Sequence, residues 1–298
     1  MEDRTRGLLA TLAGALCLST VPTVVKLGLR DGADPLQLLA PRLVLGCVLL
    51  WTWVAATRPQ RLRIDRRGLR DCALAGGINA AGLMLFYLAL RRVDASVAML
   101  IFSVYPAILL LMLHLHGEAV NRRDLVRLGL ALAGVALVAD VGGAVDIVGV
   151  MLLLACATIY SLYVFVLHTR LASYPASTLA VWIVTFVALA VVMVRPFAGP
   201  TRPLEVAGWG VVLWSAIFGT ALARMATVEG VRLLGGGQTA LLLPVETVLA
   251  VSWATLVLGE RIGGLQIVGA GLVLTSVLLA TIFRRRPSSR VDGPTDLP

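Results

Sequence analysis

The sequence contains few charged residues and almost no lysine. Only 14% of its 298 residues are charged, and 25 of its 26 basic residues are arginine, which leaves Lys26 as the single lysine. Soluble domains carry about 25% charged residues, which they need to cover their surface. A soluble globular protein is therefore excluded.

Residues that bind metals or act as nucleophiles are also scarce. His114 and His116 are two residues apart and would point about 200° apart on a helix, so they cannot chelate one ion together. No GxxxxGK[ST] phosphate loop is present, so the chain carries no ATPase signature. The four cysteines lack CxxC spacing and lie in or beside apolar stretches, at Cys17, Cys47, Cys72 and Cys156. These absences predict no metal, no cofactor and no disulfide.

Long apolar runs make up most of the chain. Hydrophobic residues account for 58% of it, and the mean hydropathy is +0.89. A helix needs about 20 apolar residues to cross a bilayer. Ten runs qualify: 7–29, 36–57, 72–90, 95–117, 125–145 (interrupted by Asp140), 147–169, 176–194, 206–228, 233–258 and 262–283. We predict an all-α integral membrane protein with ten transmembrane helices in contact with the lipid bilayer.

The same layout occurs twice along the chain. Gly235 to Phe283 holds two apolar segments separated by Gly259-Glu260, and Ala95 to Ala139 repeats this pattern around Gly117-Glu118, 142 residues earlier. The offset predicts one five-helix repeat at 1–146, a second at 147–284 and a disordered cytoplasmic tail at 285–298. Because five crossings is an odd number, the second repeat should be inverted relative to the first.

The positions of the cations predict the orientation in the membrane. With the N-terminus inside, the cytoplasmic segments hold 17 arginines and the outer loops hold six. The positive-inside rule then places both termini in the cytoplasm of a multi-pass protein of the cell membrane. The cations flank apolar spans and form no single basic face, so a nucleic-acid partner is not expected.

Two charges within the predicted spans are the main candidates for a binding site. Glu246 lies near the centre of the ninth span, and Arg224 lies about 10 Å from the centre of the eighth. Charges at such depths are costly and usually face a partner or a cavity. Two readings stay open: a structural ion pair between Arg224 and Glu246, or a site in which Glu246 binds a substrate amine or carries a proton.

Other polar and aromatic side chains within the spans complete the candidate site. Lys26 and Arg42 lie in the first two spans, where they either reach the outer interface or face a cavity. Pro106 should kink the fourth span. The expected lining residues, with interface belts as the alternative for the aromatics of the second half, are Asn79, Tyr105, Tyr160, Tyr163 and Trp182.

These features resemble the EamA-like branch of the drug/metabolite transporter superfamily over about residues 7 to 283. Lys26, Pro35 and Arg42 are similar to the family's pattern of a lysine ending the first helix and Pro…Arg opening the second. Glu246 falls where many members have a Glu-Pro step, although Thr247 replaces that proline here. The resemblance implies ten helices in two inverted units and alternating-access transport of small metabolites.

The sequence thus predicts a secondary transporter, not an enzyme, that moves a small polar or amphipathic metabolite, such as an amino acid or related compound, out of the cell. Proton coupling and a homodimer are left open. The alternatives are a non-transporting membrane subunit and a membrane-embedded enzyme acting on lipids. The three histidines, His114, His116 and His168, form no set that such an enzyme would need.

Overall fold

A computed structural model describes residues 2–117, 122–139, 146–198, 203–234 and 243–282. Four sequence features lie outside these ranges: Glu118, Asp140, the 235–242 portion of the ninth predicted span and the tail at 285–298. Every regular element in the described part of the chain is helical, which confirms the all-α prediction at that level.

The described residues form twelve α-helices, numbered here in chain order. They are α1 (Glu2–Arg30), α2 (Pro35–Thr57), α3 (Arg66–Leu90), α4 (Ala95–Phe102), α5 (Tyr105–Leu115), α6 (Arg122–Ala139), α7 (Ile147–Arg170), α8 (Ala176–Val194), α9 (Val206–Ala216), α10 (Ala223–Leu234), α11 (Leu243–Leu258) and α12 (Gly264–Ile282). A π-helical segment, Ile217–Leu222, joins α9 to α10 without a break. Short 3₁₀ turns follow α2 and α8, at Pro59–Leu62 and Arg195–Ala198.

Seven helical segments of the described chain are long and apolar enough to cross a membrane. They are Asp3–Arg30, Pro35–Thr57, Arg66–Leu90, Ala95–Leu115, Ile147–Arg170, Ala176–Phe197 and Val206–Leu234. The other three predicted spans each extend into residues outside the described ranges, and shorter apolar helices stand at Val245–Leu258 and Gly264–Ser276. The protein is therefore a multi-pass membrane protein, and the count of ten crossings remains a prediction.

Aspartates at the helix starts explain several of the boundaries. Asp34 accepts a hydrogen bond from the Leu36 amide at 2.9 Å at the start of α2. Asp146 accepts from the Val148 amide at 2.8 Å at the start of α7, and Asp65 opens α3 in the same way. A side-chain oxygen at this position satisfies an amide that has no partner within the helix. These polar caps therefore set where three of the spans begin.

Two predicted spans differ from simple helices. The fourth is divided into α4 and α5, because Pro106 has no N–H and its ring clashes with the carbonyl of residue i−4, Phe102, where α4 ends. The predicted kink is thus a break at Ser103 and Val104. The eighth span ends at Leu234, six residues later than predicted, and contains the π-helical segment, a feature often found near functional sites.

Close glycine contacts define how the long helices run against each other. A Cβ at Gly7 would meet Leu234, and one at Gly28 would meet Val211, so α1 is antiparallel to the α9–α10 segment. A Cβ at Gly149 would meet Val93 just after α3, whereas Gly82 packs against Ile159 within α7. The helices α3 and α7 are therefore also antiparallel.

The bundle has two chemically different ends. One end, called the arginine-rich side, carries the arginines of the turn after α2 and of the first turns of α3 (Arg58, Arg61, Arg63, Arg66, Arg67 and Arg70). The opposite end, called the Glu260 side, carries the ends of α1 and α3 and the start of α7. The Lys26 ammonium joins the first two of these there by donating to the Leu90 carbonyl at 2.7 Å.

Candidate functional site

Five aromatic side chains from α3, α4, α5 and α7 form one connected group, called here the aromatic cluster. Its members are Phe86, Phe102, Tyr105, Tyr160 and Tyr163. The ring centroids are 5.7 Å apart for Phe86–Phe102, 5.1 Å for Phe102–Tyr160, 4.9 Å for Tyr105–Tyr160 and 5.4 Å for Tyr160–Tyr163. Most of these pairs meet edge to face, an arrangement that the ring quadrupoles favour.

The break between α4 and α5 positions this cluster. Ser103, in the break, lies 3.0 Å from Thr247 of α11 through the two hydroxyl oxygens. The Ser161 hydroxyl of α7 lies 2.7 Å from the carbonyl oxygen of Tyr105. These contacts anchor the broken backbone to α11 and α7, and so fix Tyr105 against Tyr160.

Glu246 and Arg224 both interact with the tyrosines of the aromatic cluster. The carboxylate of Glu246 interacts electrostatically with Tyr105 and Tyr160, and the guanidinium of Arg224 interacts first with Tyr163 and then with Tyr160. The two charges also interact with each other. Among the ion pairs of the described residues, however, none joins Arg224 to Glu246 within 4.0 Å.

The accessibility of these groups indicates that they line an internal space. Tyr105, Tyr160, Arg224 and Glu246 are enclosed by protein, yet each remains partly exposed. A side chain packed in a solid core would lose that exposure. Tyr163 is the exception, because only 3% of its surface is exposed.

A cavity of about 160 Å³ reaches Tyr163 and Arg224 from one direction. Its volume is several times the roughly 30 Å³ that one water molecule occupies in the liquid. The walls come from α7, α8 and α10 and include Leu167, Ile183 and Thr227. Its outer residues, such as Ala176, lie toward the arginine-rich side, where Tyr174 donates to Asp65 at 2.6 Å. The cavity therefore extends from Tyr163 and Arg224 toward the arginine-rich side.

Arg42 and Lys26 have partners elsewhere in the fold. Arg42 is 7% exposed and donates to the Thr220 hydroxyl at 3.3 Å and to the Tyr87 hydroxyl, with its guanidinium over the Tyr87 ring. Lys26 is 8% exposed and donates to the carbonyls of Leu90 and Val93. The structure does not bring these two cations into the aromatic cluster.

The direct contacts of Trp182 and Asn79 are also with residues outside the aromatic cluster. The Trp182 indole donates to the Leu62 carbonyl at 3.0 Å and packs edge to face on Trp51, which places it near the arginine-rich side. Asn79 is buried in α3 between Gly76, which packs on α8, and Gly82, which packs on α7. Asn79 precedes Phe86 by two helical turns and so shares a helix face with the cluster.

Phe102 and Glu260 are the notable residues that the sequence interpretation did not single out as site candidates. Phe102 lies at the centre of the aromatic cluster. It directly precedes the helix break that Pro106 causes, and this position is the sequence feature that could have identified it. Glu260 makes three hydrogen bonds across the fold, described below. No group of three or more histidine, cysteine, aspartate or glutamate residues in the described ranges could hold a metal ion.

Comparisons with known proteins agree with the architecture. The sequence model of the EamA-like transporter family matches residues 5–139 and again residues 147–282. The uncharacterized transporter YcbK of Bacillus subtilis (strain 168) is 24% identical over 289 residues, which cover 91% of each chain. A solved crystal structure superposes with a TM-score of 0.62 at 21% identity and covers 93% of this chain and 97% of the other, which shows a shared fold.

Proposed function

Because this chain belongs to the EamA-like transporter family, within the drug/metabolite transporter superfamily, we propose that it is a secondary transporter for a small solute with an ammonium and a carboxylate group. The observation that carries the proposal is that Glu246 and Arg224 both interact with Tyr160, and that a cavity lined by Arg224 and Tyr163 reaches this group. Amino acids and related metabolites have this chemistry.

The two ends of the site suit opposite charges on one solute. The Glu246 carboxylate and the adjoining faces of Tyr105 and Tyr160 attract an ammonium group, since aromatic faces bind cations. The Arg224 guanidinium presents paired N–H donors that match a carboxylate, and the Tyr163 hydroxyl adds a further partner. A solute with both groups would be held in one orientation between the two charges.

The remaining candidates have supporting roles in this proposal. Asn79 joins the site through the α3 face that it shares with Phe86. Arg42 fixes α2 against the π-helical segment, and Trp182 fixes α8 against the turn after α2. Lys26 belongs to the Glu260 side and is treated below.

The packing of the helices supports two inverted repeats with ten crossings. Equivalent elements begin 141 or 142 residues apart, as Pro35 and Ala176 do, and as Arg122 and Gly264 do. The contact of Gly7 with Leu234 has its equivalent in the contact of Gly149 with Arg92. Since α1 and α3 end on the Glu260 side and α7 is antiparallel to α3, α7 runs opposite to α1, as inversion requires.

The direction of the cavity is consistent with export. The positive-inside rule assigns the arginine-rich side to the cytoplasm of the cell membrane. The cavity reaches Arg224 from that side, so a cytoplasmic solute could load there. In alternating access, the site would next open to the Glu260 side. Exchange of the solute ammonium for a proton on Glu246 would couple this cycle to a proton gradient.

Comparative metabolite profiling of cells and medium tests this proposal. The strains are a null strain and strains that express the wild type, Glu246→Gln, Arg224→Gln or the control Glu205→Gln at matched membrane levels. Glu205 is an exposed carboxylate at the start of α9 that makes no cap hydrogen bond. We expect one zwitterionic metabolite to accumulate outside with the wild type and the control only. Export by the two site variants at the wild-type rate would contradict the assigned site.

The two alternative functions make different predictions. If Glu246 and Arg224 only hold helices together in a non-transporting subunit, the charge-swapped double variant Arg224→Glu/Glu246→Arg should restore wild-type behaviour. If the protein were an enzyme acting on lipids, its deletion should change the lipid extract and leave metabolite export intact. Membership of a transporter family favours transport over both.

A further inference from the structure

Glu260 forms a tight contact between the two halves of the chain. Only 7% of its surface is exposed, and its carboxylate accepts hydrogen bonds from the Ala95 amide at 2.8 Å, the Ser96 amide at 2.9 Å and the Ser96 hydroxyl at 2.6 Å. A carboxylate at the first turn of a helix satisfies free amides and complements the helix dipole. Glu260, from the loop after α11, therefore holds the start of α4.

Two cations on α1 complete the same contact. The Lys26 ammonium lies 2.7 Å from the carbonyl oxygens of Leu90 and Val93, and the Arg30 guanidinium lies 2.9 Å from the carbonyl oxygen of Leu258. Cations are favourable at helix C-terminal ends, where carbonyls lack partners. The group of Lys26, Arg30, Ser96 and Glu260, called here the Glu260 latch, thus joins the ends of α1, α3 and α11 to the start of α4.

The charges around the latch are closely balanced. Burial and the neighbouring Glu260 raise the pKa of the Asp94 carboxyl above its usual range, while Lys26 and Arg30 act in the opposite direction. Two acidic and two basic side chains thus influence each other at this end of the bundle. Removal of one of them would therefore change the electrostatic environment of the others.

The equivalent positions at the opposite end do not repeat these cations. His168 and Ala172 stand 142 residues after Lys26 and Arg30, and both are exposed on the arginine-rich side. The cavity at Arg224 also extends toward that side. Within the described residues, the charged contacts of Lys26, Arg30 and Glu260 therefore stand at the Glu260 side, and the cavity at Arg224 lies toward the other side.

Two buried polar atoms on α1 and α11, which the latch joins, have no hydrogen-bond partner among the described residues. They are the hydroxyl of Thr23, one turn before Lys26 on α1, and the indole nitrogen of Trp253, seven residues before Glu260 on α11. Thr23 is only 2% exposed. Buried polar groups are normally paired, and an unpaired one requires an explanation. Both atoms would gain partners if the helices that the latch joins moved apart.

We propose that the Glu260 latch is the gate that closes the solute path on the side opposite the arginine-rich loops, and that Thr23 and Trp253 line the path behind it. The gate rests on the proposed transport function, since only a transporter needs the site to open there. For that side to open, Glu260 must release Ser96, and Lys26 and Arg30 must release the helix ends that they hold. Closure then re-forms all of these contacts together.

Pulsed electron paramagnetic resonance distances test the gate without any solute. In a cysteine-free background, labels at Asp31 and Arg261 report the Glu260 side, and labels at Gln60 and Ala172 report the arginine-rich side; all four positions are exposed. In Glu260→Ala and Ser96→Ala, we expect the ratio of open to closed molecules at the Glu260 side to rise by about tenfold or more for the first variant and less for the second. The control, Glu205→Ala, should match the wild type.

Cysteine labelling provides a second measurement that does not require the spin labels. A Thr23→Cys thiol should react slowly with N-ethylmaleimide when the latch is intact and about tenfold faster when Glu260→Ala is added. In a separate protein that carries Ser96→Cys and Glu260→Cys in place of Glu260→Ala, the Thr23→Cys thiol should react slowly while the two cysteines form a disulfide and faster once that disulfide is reduced. Unchanged distances and unchanged labelling in Glu260→Ala would overturn the gate, even if the wild type exports a metabolite. A latch that opens in a protein that exports nothing would instead refute the proposed function alone.

Discussion

The crossing of α6 with α12 yields a sharp prediction, because two glycines on α6 have opposite surroundings. A Cβ added to Gly134 would lie 2.7 Å from the Gly269 carbonyl oxygen and 2.7 Å from a Val273 methyl carbon. A Cβ added to Gly129 would have nothing within 4 Å. Both residues lie on the same helix, so Gly129→Ala is a matched control for Gly134→Ala.

The expected magnitude follows from which atoms the new methyl group would meet. At Gly134 the nearest neighbours include the backbone of α12, which cannot rotate away as a side chain can. The two helices must then separate, and overpacking of this kind costs about 1–3 kcal/mol. At Gly129 the change should lie within about 1 kcal/mol of neutral, since alanine is preferred to glycine within a helix.

Equilibrium unfolding in mixed detergent micelles measures this difference. We expect Gly134→Ala to unfold at a clearly lower denaturant concentration than the wild type, and Gly129→Ala to unfold at the wild-type concentration or above it. Equal midpoints for the two variants would show that α6 and α12 do not approach as closely as described. The reasoning about this helix pair would then be wrong.

Three further predictions concern the aromatic cluster, Arg42 and acid stability. In the metabolite assay, Tyr160→Leu should reduce export by about tenfold or more at matched protein levels, because it removes the ring that contacts the other aromatics. Tyr160→Phe keeps the ring and should reduce export less. Arg42→Lys should destabilise the fold by about 1–3 kcal/mol in micelle unfolding, since one ammonium cannot reproduce the guanidinium's contacts with Thr220 and Tyr87. The hydrogen bond from Tyr174 lowers the pKa of the Asp65 carboxyl from 3.8, so its stabilising contribution is present above pH 3.8 and is lost as the pH falls through the lower folded value. Tyr174→Phe should reduce that acid dependence, and an unchanged stability profile below pH 4 would contradict it.

Much of the helical framework could be predicted from local sequence. Apolar runs of bilayer length predict the seven long spans, and Pro106 predicts the place where the fourth span is divided. Aspartates before α2, α3 and α7 mark helix starts for the same local reason. These features depend on residues within a few positions of each other, so they can be predicted from the local sequence.

The contacts that shape the site depend on residues far apart in the chain. Glu260 binds Ser96 across 164 residues, and Trp182 binds the Leu62 carbonyl across 120. A buried Lys26 is equally compatible, by sequence, with a cavity and with the helix end that it holds. Tyr105, Tyr160 and Tyr163 could be selected as a possible cavity wall, but their mutual contacts depend on how α5 packs against α7.

Solute counterflow in reconstituted liposomes tests the central claim most directly. Vesicles loaded with the metabolite identified by profiling would receive a trace of the labelled compound outside, with the wild type, Glu246→Gln, Arg224→Gln or Glu205→Gln in the membrane. The account predicts rapid uptake with the wild type and Glu205→Gln, and a loss of about 30-fold or more with each site variant, since truncation of a buried, hydrogen-bonded charge partner costs about 2–5 kcal/mol. Equal counterflow in all four would contradict a binding site at Glu246 and Arg224, and no counterflow in any would contradict transport itself.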